Sequence, residues 1–300
     1  MKVLLASDGS EPAMNAARYL SRLKVDEKLK LALLTVSMHP ELTAHGNGQN
    51  PERESQEKEF VARHQSELQE LFSDHCDDYL STLHPTGNAA QVILDVAKRI
   101  SADLIVLGAV GHSMVSRMLL GSVSDRVATH AECSVLVVRP PIGDQHKNSR
   151  PRKIVVAFDD SASARESVNE LMAFSWEPDT EVTVIGVTIP ESYLFGDEFP
   201  DASLRNLKEQ TIELRKAGER VAKSLAVAIP HSSVKVLTSG HAGESIVNFA
   251  EQNESDLIVI GDSGRSQLRD FFLGSTTKYV LRHAPCSVWI SRHHQIVSKS

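Results

Sequence analysis

Short aliphatic runs alternate along the chain with longer segments whose apolar residues recur at helical spacing. Near the start, the run KVLLAS (residues 2–7) is apolar almost throughout and ends in Asp-Gly-Ser, and residues 13–23 follow with helically spaced apolar positions. A continuous apolar run of that length predicts a strand buried on both faces, and the spacing after it predicts a helix. Their repeated alternation predicts an α/β fold with a mainly parallel sheet that helices cover on both sides.

One highly charged segment, residues 51–83, carries apolar residues at Phe60, Val61, Leu68 and Phe72. This pattern predicts a single long amphipathic helix that extends to about Leu83. In the second half, residues 204–226 predict a comparable helix, and the run VKVLTS that follows predicts a strand.

Three stretches of the first half recur in the second half at nearly constant spacing. They are KVLLASDGS from Lys2 and KIVVAFDDS from Lys153, SADLIVLGAVG from Ser101 and ESDLIVIGDSG from Glu254, and HAECSVLVV from His130 and HAPCSVWIS from His283. The two copies of each stretch begin 151 to 153 residues apart. A repeat of that length predicts two domains of one fold, since solenoid repeats are much shorter. We predict domains at residues 1–140 and 153–292, a linker rich in Pro and polar residues at 141–152, and a tail at 293–300. Each domain is expected to be a doubly wound α/β domain with a mainly parallel five-stranded sheet.

The composition restricts the kinds of molecule that the chain is expected to bind. A net charge of −7 creates no overall basic field that would attract nucleic acid or an anionic membrane surface. No stretch approaches the roughly 18 apolar residues of a membrane-spanning helix, and the opening MKVLLASDGSEP has no apolar core of a signal peptide. Three cysteines do not suggest a disulfide framework. We therefore expect a cytoplasmic protein without nucleic-acid or membrane partners.

The same glycine pattern follows an aliphatic run in each half: Gly, two residues, Gly, nine residues, Gly-Ser. Its residues are Gly108, Gly111, Gly121 and Ser122 in the first half and Gly261, Gly264, Gly274 and Ser275 in the second. Ligands of open α/β sheets bind beyond the carboxyl ends of the strands, and a glycine there lets a phosphate approach the backbone. Each Gly-Ser also precedes a helical pattern, whose free N–H groups would favour an anion. The pattern predicts a polyphosphate site in each half.

Side chains suited to cap these helices are Ser122 or Ser124 in the first half and Ser275 or Thr276 in the second. A Gly-x-x-Gly after a strand is also typical of a tight turn that binds nothing, and this alternative stays open. Neither a Gly-x-x-x-x-Gly-Lys-Ser/Thr nor a strand-coupled Gly-x-Gly-x-x-Gly motif is found. The sequence likewise contains no Gly-x-Ser-x-Gly, His-Glu-x-x-His or Cys-x-x-Cys motif, so no catalytic residue is predicted.

Taken together, the glycine pattern, the Asp-x-Ser after each first strand and the closing SVLVV resemble the universal stress protein family. The resemblance covers essentially the whole chain and implies a tandem form, with two domains of the adenine nucleotide alpha hydrolase-like fold. Its ATP-binding members imply ATP, either alone or with Mg²⁺, across the carboxyl ends of the strands. The implied contacts are Asp8 and Asp159 to the ribose or adenine side, the backbones of Val36 and Val187 to the adenine, and, to the ribose and phosphates, Gly108, Gly111, Gly121, Ser122 and Ser124 in the first half and Gly261, Gly264, Gly274, Ser275 and Thr277 in the second.

At two places the sequence departs from the pattern that the resemblance implies, and each departure makes the two nucleotide sites unlike. The residue after the second glycine is His112 in one half and Arg265 in the other, and only the arginine would bring a persistent charge to a phosphate at pH 7. Phe158 and Asp160 stand where the first half has Ser7 and Gly9, which adds bulk and negative charge beside the second site. We expect the two sites to differ in nucleotide affinity.

The resemblance implies an ATP-binding stress-response or signalling module in which nucleotide occupancy tunes conformation or partner binding, with slow ATP hydrolysis at most. Two alternatives stay open. One is an enzyme that uses ATP, such as an ATPase or an adenylyl transferase, because this fold class hosts many chemistries. The other is a tandem scaffold whose glycine loops bind no nucleotide.

Single-domain relatives pair through their last strands, so the resemblance also implies an intrachain pseudo-dimer with residues 134–138 and 287–291 at its seam. Whether two chains associate further as a homodimer stays open. Cys133 and Cys286 begin these strands, and we interpret them as reduced, buried thiols, with a disulfide between them as the alternative.

Overall fold

The structure is a computed structural model. It describes residues 1–25, 29–37, 51–73, 78–111, 120–140, 151–190, 201–264 and 273–292. The chain divides into two compact units, Met1–Pro140 and Pro141–Ser300. Most of the predicted linker and the predicted tail lie outside the described residues, so these boundaries stay predictions. No described helix is both long and apolar enough to cross a lipid bilayer.

The first unit alternates strands and helices as predicted. Its elements are β1 (Lys2–Ala6), α1 (Glu11–Arg22), β2 (Lys24–Val25), β3 (Lys30–Leu34), α2 (Pro51–Leu71), β4 (Asp78–Leu83), α3 (Ala89–Ile100), β5 (Leu104–Gly108), α4 (Ser122–His130) and β6 (Ser134–Val138). Five of the strands form a sheet in the order β4-β3-β1-β5-β6, and every neighbouring pair is parallel. Strands β3, β1, β5 and β6 are almost entirely buried, which explains why their sequences are continuous aliphatic runs.

The second unit repeats this topology. Its elements are β7 (Lys153–Ala157), α5 (Ala162–Met172), β8 (Phe174–Ser175), β9 (Glu181–Thr188), α6 (Asp201–Leu225), β10 (His231–Thr238), α7 (Ala242–Gln252), β11 (Leu257–Gly261), α8 (Ser275–His283) and β12 (Ser287–Ser291). The strand order β10-β9-β7-β11-β12 is again parallel throughout. The predicted fold class, two tandem doubly wound α/β domains with five-stranded parallel sheets, is confirmed.

The prediction of one helix over residues 51–83 is wrong in its second part. Helix α2 ends at Leu71, and Asp78–Leu83 form the edge strand β4, which pairs with β3 through a register shift between Leu31 and Ala32. An edge strand with one neighbour carries more polar residues than a central strand, so its sequence shows no continuous apolar run. The hydrogen bonds to β3, which sequence periodicity does not report, decide its conformation.

Both tryptophans of the chain lie in the second unit. The indole of Trp289 is 1% exposed, donates to Glu170 Oε2 at 2.8 Å and meets the Phe174 ring edge to face at 5.0 Å. Trp176 donates from Nε1 to the carbonyl oxygen of Leu171 at 2.8 Å. Each buried indole therefore has a partner for its N–H group, as a stable core requires.

Candidate functional site

Those predicted site residues that the structure describes lie where the strand order reverses. In each unit the connections leave the first strand and its neighbour in opposite directions, which opens a crevice beyond the ends of β1 and β5 and of β7 and β11. Asp8 follows β1, and Gly111 follows β5; Asp159 and Gly264 hold the same places in the second unit. The sheet topology thus brings together residues that lie about a hundred positions apart in the sequence.

The Asp8 carboxylate is fixed on one side and meets a glycine on the other. Its Oδ1 atom accepts the backbone N–H of Ser10 at 3.0 Å and the Ser10 hydroxyl at 2.6 Å. Its Oδ2 atom would lie 2.7 Å from a Cβ atom at Gly111, which is closer than such contacts occur in proteins. Gly111 therefore allows the carboxylate to sit directly against the backbone that follows β5.

The second unit repeats this arrangement. Asp159 Oδ1 accepts the backbone N–H of Ser161 at 3.0 Å, and its Oδ2 atom would lie 2.9 Å from a Cβ atom at Gly264. Ser161 also caps α5, because its side chain accepts the N–H of Ala164 at 3.2 Å. Both units thus present one oriented carboxylate against one glycine at the same point of the fold.

Helix α4 begins at the same crevice and directs backbone donors toward it. Its N-cap is Gly121, whose N–H donates to the Ala109 carbonyl oxygen at 2.7 Å. The first N–H that bonds back into the helix is that of Asp125, to Gly121 O at 2.9 Å. Helix geometry therefore leaves the N–H groups of residues 122–124 without an intrahelical acceptor. In the second unit, Gly274 caps α8 in the same way, and Lys278 makes the first such bond.

The prediction that a serine or threonine side chain caps these helices is wrong. Both N-caps are glycines, and neither helix has a side-chain capping bond. The Ser124 hydroxyl instead donates to Gly108 O at 2.8 Å, and that of Thr277 donates to Gly261 O at 2.7 Å. Because both hydroxyls bond to the end of the preceding strand, Ser124 and Thr277 would face a ligand through their backbone N–H groups.

Close packing by itself explains why positions 108 and 261 must be glycine. A Cβ atom at Gly108 would lie 2.8 Å from the carbonyl oxygen of Pro12, and one at Gly261 would lie 2.5 Å from Ser163 Oγ. Helices α1 and α5 therefore begin in direct contact with the ends of β5 and β11. A glycine at these two positions is needed whether or not a ligand binds.

Val36 and Val187 present backbone groups to the crevice. In a parallel sheet, consecutive residues bond alternately to the two neighbouring strands. Leu34 O accepts the Ser7 N–H at 2.9 Å and Thr35 N–H donates to Leu83 O at 3.0 Å, so the polar groups of Val36 point toward the end of β1. There the chain has turned away, and no backbone hydrogen bond joins Val36 to the described residues. The same alternation applies to Val187, because Phe158 N–H donates to Ile185 O at 2.9 Å.

The loop that carries the aspartate has an unusual backbone in both units. Gly9 has a φ of 77°, and Asp160, at the matching position, has a φ of 66°. The Asp160 carboxylate bonds to Arg165, with Oδ1 2.8 Å from Nη2 and 3.0 Å from Nε. Aspartate tolerates this left-handed region better than most residues, which explains how the second unit replaces the glycine.

The Gly9→Ala variant is expected to lower the free energy of unfolding by about 1–2 kcal/mol, the usual cost of a left-handed conformation for a residue with a Cβ atom. The new Cβ would also lie 2.5 Å from Phe60 Cζ, so the ring would have to move. Chemical denaturation followed by circular dichroism measures the change. Asp160→Gly is the matched control: relief of its backbone offsets the loss of a partly exposed ion pair, and we expect a change below about 1 kcal/mol. Equal destabilisation by both variants would contradict this account.

His112 and Arg265 lie outside the described residues, so their contribution to phosphate binding stays a prediction. Cys133 and Cys286 are buried and form no disulfide bond in the structure, which agrees with their interpretation as reduced, buried thiols. Within the described parts of the chain, no group of three or more His, Cys, Asp or Glu side chains is placed to hold a metal ion.

One buried contact near the first site is not predicted by the sequence. His64 on α2 places Nε2 2.8 Å from the hydroxyl oxygen of Ser7, the residue before Asp8. The two residues are 57 positions apart, and a single histidine in a charged helix gives no signal of its own. The only indirect indication is the difference between the halves: the second half has Phe158 at the position of Ser7, so the hydroxyl is particular to the first half.

Comparison with known proteins identifies relatives of both units. The model of the universal stress protein family matches residues 1–139 and 151–292. The universal stress protein Sll1388 of Synechocystis is 29% identical over 154 residues, which cover 47% of this chain and 97% of the relative. Another from the same organism, Slr1230, is 27% identical over 204 residues, covering 68% of this chain and 62% of the relative.

A solved structure agrees with the fold over both units. The crystal structure of a universal stress protein from Archaeoglobus fulgidus superposes with a TM-score of 0.63 at 20% identity, covering 97% of this chain and 98% of the other. At that identity the likeness concerns the fold, which supports the tandem α/β architecture described above.

Proposed function

Because the chain belongs to the universal stress protein family over both of its units, we propose that it is an ATP-binding stress-response module with one nucleotide site in each unit. Nucleotide occupancy would set its conformation or its affinity for a protein partner, and it would hydrolyse ATP slowly at most. The observation that carries the proposal is the convergence of an oriented carboxylate, a glycine and a helix start at one crevice, repeated in both units.

The crevice supplies chemistry suited to each part of a nucleotide. The Asp8 carboxylate would accept hydrogen bonds from ribose hydroxyls, since it keeps its place through Ser10. The backbone of Val36 would donate to and accept from the adenine edge. The free N–H groups at the start of α4 would receive phosphate oxygens, which the positive end of the helix favours. Mg²⁺, if it takes part, would enter mainly on the phosphates, as this ion commonly does.

A nucleotide can act as a signal here only if two states of the module bind it with different affinity. The output would then be the exposure or withdrawal of a surface that a protein partner recognises.

The decisive experiment measures the nucleotide content of the purified protein by native mass spectrometry, followed by denaturation and chromatography of the released ligand. We expect two equivalents of ATP or ADP per chain, either retained on purification or taken up from added Mg-ATP. One equivalent would locate binding in one unit, to be assigned with Gly111→Val and Gly264→Val. Absence of nucleotide under both conditions would contradict the proposal and favour a tandem scaffold.

A further inference from the structure

A buried polar contact ties the long helix α2 to the loop that carries Asp8. His64 is 4% exposed, and its Nε2 atom forms a hydrogen bond of 2.8 Å with the hydroxyl of Ser7, which is also buried. The same hydroxyl oxygen accepts the N–H of Gly9 at 3.4 Å. Because both side chains are closed off from solvent, the pair has no access to a substrate, and its effect must pass through the loop.

Helix α2 contacts the loop at a second point. Phe60 lies one helical turn before His64, and the two rings stack with centroids 6.1 Å apart and an interplanar angle of 13°. The end of the Phe60 ring covers Gly9, where a Cβ atom would lie 2.5 Å from Cζ. Asp8 therefore stands between two residues that α2 holds, Ser7 through a hydrogen bond and Gly9 through ring contact.

The second unit holds its loop differently. Phe158 replaces Ser7 and is buried, and Asp160 bonds to Arg165 of the helix that follows it directly, α5. When the buried positions of the two long helices are matched, Val61 with Leu214 and Phe72 with Leu225, the positions of Phe60 and His64 fall on Glu213 and Ala217 of α6. Ala217 is buried and has no polar side-chain atom, so no counterpart of the His64 hydrogen bond can form there.

We propose that His64 is a positioning residue for the nucleotide site of the first unit: through Ser7 it keeps the Asp8 carboxylate in its binding orientation, and it does so in that unit alone. The proposal rests on the nucleotide-binding function proposed above. The position of α2 would then control the site, because a displacement of the helix would move the loop on both sides of Asp8.

The test measures nucleotide affinity one unit at a time, by calorimetric titration with Mg-ATP. The full chain carrying Gly264→Val reports the first unit, and the chain carrying Gly111→Val reports the second. We expect His64→Phe, which keeps an aromatic ring beside Phe60 but cannot bond to Ser7, to weaken binding in the first unit at least about tenfold, since small misplacements of a binding group have large effects. Affinity in the second unit should stay unchanged.

Two further variants separate positioning from a merely structural role. His64→Gln offers an amide nitrogen near the place of Nε2 and should recover most of the lost affinity. The double variant Ser7→Ala with His64→Phe removes both polar partners, which costs little stability when the site stays filled. It should fold well and still bind weakly in the first unit. Restored affinity in this double variant, or unchanged affinity in His64→Phe, would overturn the proposal.

A second measurement is independent of nucleotide. Hydrogen exchange of the ligand-free protein should show faster exchange of the Gly9 and Ser10 amides in His64→Phe, because these donate to Ser7 Oγ and to Asp8 Oδ1. Unchanged exchange would show that His64 does not hold the loop, and the positioning role would fail while nucleotide binding itself stood. If the parent chain takes up no nucleotide, the proposed function fails, and the positioning role fails with it.

Discussion

The variant Gly111→Val is expected to abolish nucleotide binding in the first unit and to leave the fold intact. Its Cβ atom would lie 2.7 Å from Asp8 Oδ2 and would push the carboxylate out of the crevice. The remaining methyl groups would fill the space where we place a phosphate. We expect an affinity loss of at least about 100-fold, or about 2.8 kcal/mol. Because Gly111 does not have a left-handed backbone, the free energy of unfolding should change by less than about 1 kcal/mol.

Nucleotide stoichiometry together with thermal unfolding checks this expectation. Gly264→Val is the matched variant in the second unit, where a Cβ atom would lie 2.9 Å from Asp159 Oδ2. Each single variant should reduce the bound nucleotide from two equivalents to one, and the double variant should bind none. Two equivalents on the double variant would exclude the crevice as the nucleotide site.

Gly108→Ala, at the first glycine of the same motif, is expected to show the opposite result, a loss of stability with nucleotide binding retained. The new methyl group would lie 2.8 Å from the carbonyl oxygen of Pro12 and 2.9 Å from its carbon, so that the start of α1 would have to shift. Overpacking of this kind costs about 1–3 kcal/mol. For a unit of this size, the midpoint of thermal unfolding should fall by about 4–10 °C. Below that temperature, both nucleotide equivalents should remain bound.

Gly274→Ala is the control for this variant, because its Cβ atom would lie 3.4 Å from the nearest neighbour, an ordinary contact. It should change the free energy of unfolding by less than about 1 kcal/mol. If Gly108→Ala instead kept its stability and lost nucleotide, Gly108 would belong to the binding surface, contrary to our interpretation.

Sequence periodicity predicted the fold where burial is complete. Strands such as Leu104–Gly108 face helices on both sides, so an unbroken aliphatic run is the physical consequence of their position. The edge strand Asp78–Leu83 was missed because its sequence, DYLSTL, has no continuous apolar run and follows a helical pattern without a turn signal. The matching edge strand His231–Thr238 was predicted in part, because VKVL is mostly apolar. Local pattern is informative where the apolar residues that a strand buries can be read directly from its sequence.

The candidate site, too, was predictable from the sequence only in part. Glycine spacing and the aspartate after the first strand could be read from the sequence, because each depends on its position at the end of a strand. The contact between Ser7 and His64 could not be predicted, since it depends on how α2 lies across the sheet. The capping prediction was wrong because the N-cap position falls on Gly121, which has no side chain, while the Ser124 hydroxyl donates to Gly108 O at the end of the preceding strand.

The placement of both indoles in the second unit has a practical consequence for spectroscopy. Because Trp176 and Trp289 are the only tryptophans of the chain, fluorescence excited at the red edge of tryptophan absorption reports the unfolding of the second unit, whereas far-ultraviolet circular dichroism reports both. A variant in the first unit that unfolds early would then lose ellipticity before its emission shifts. Coincident transitions would reveal that the two halves of the duplication melt as one cooperative body.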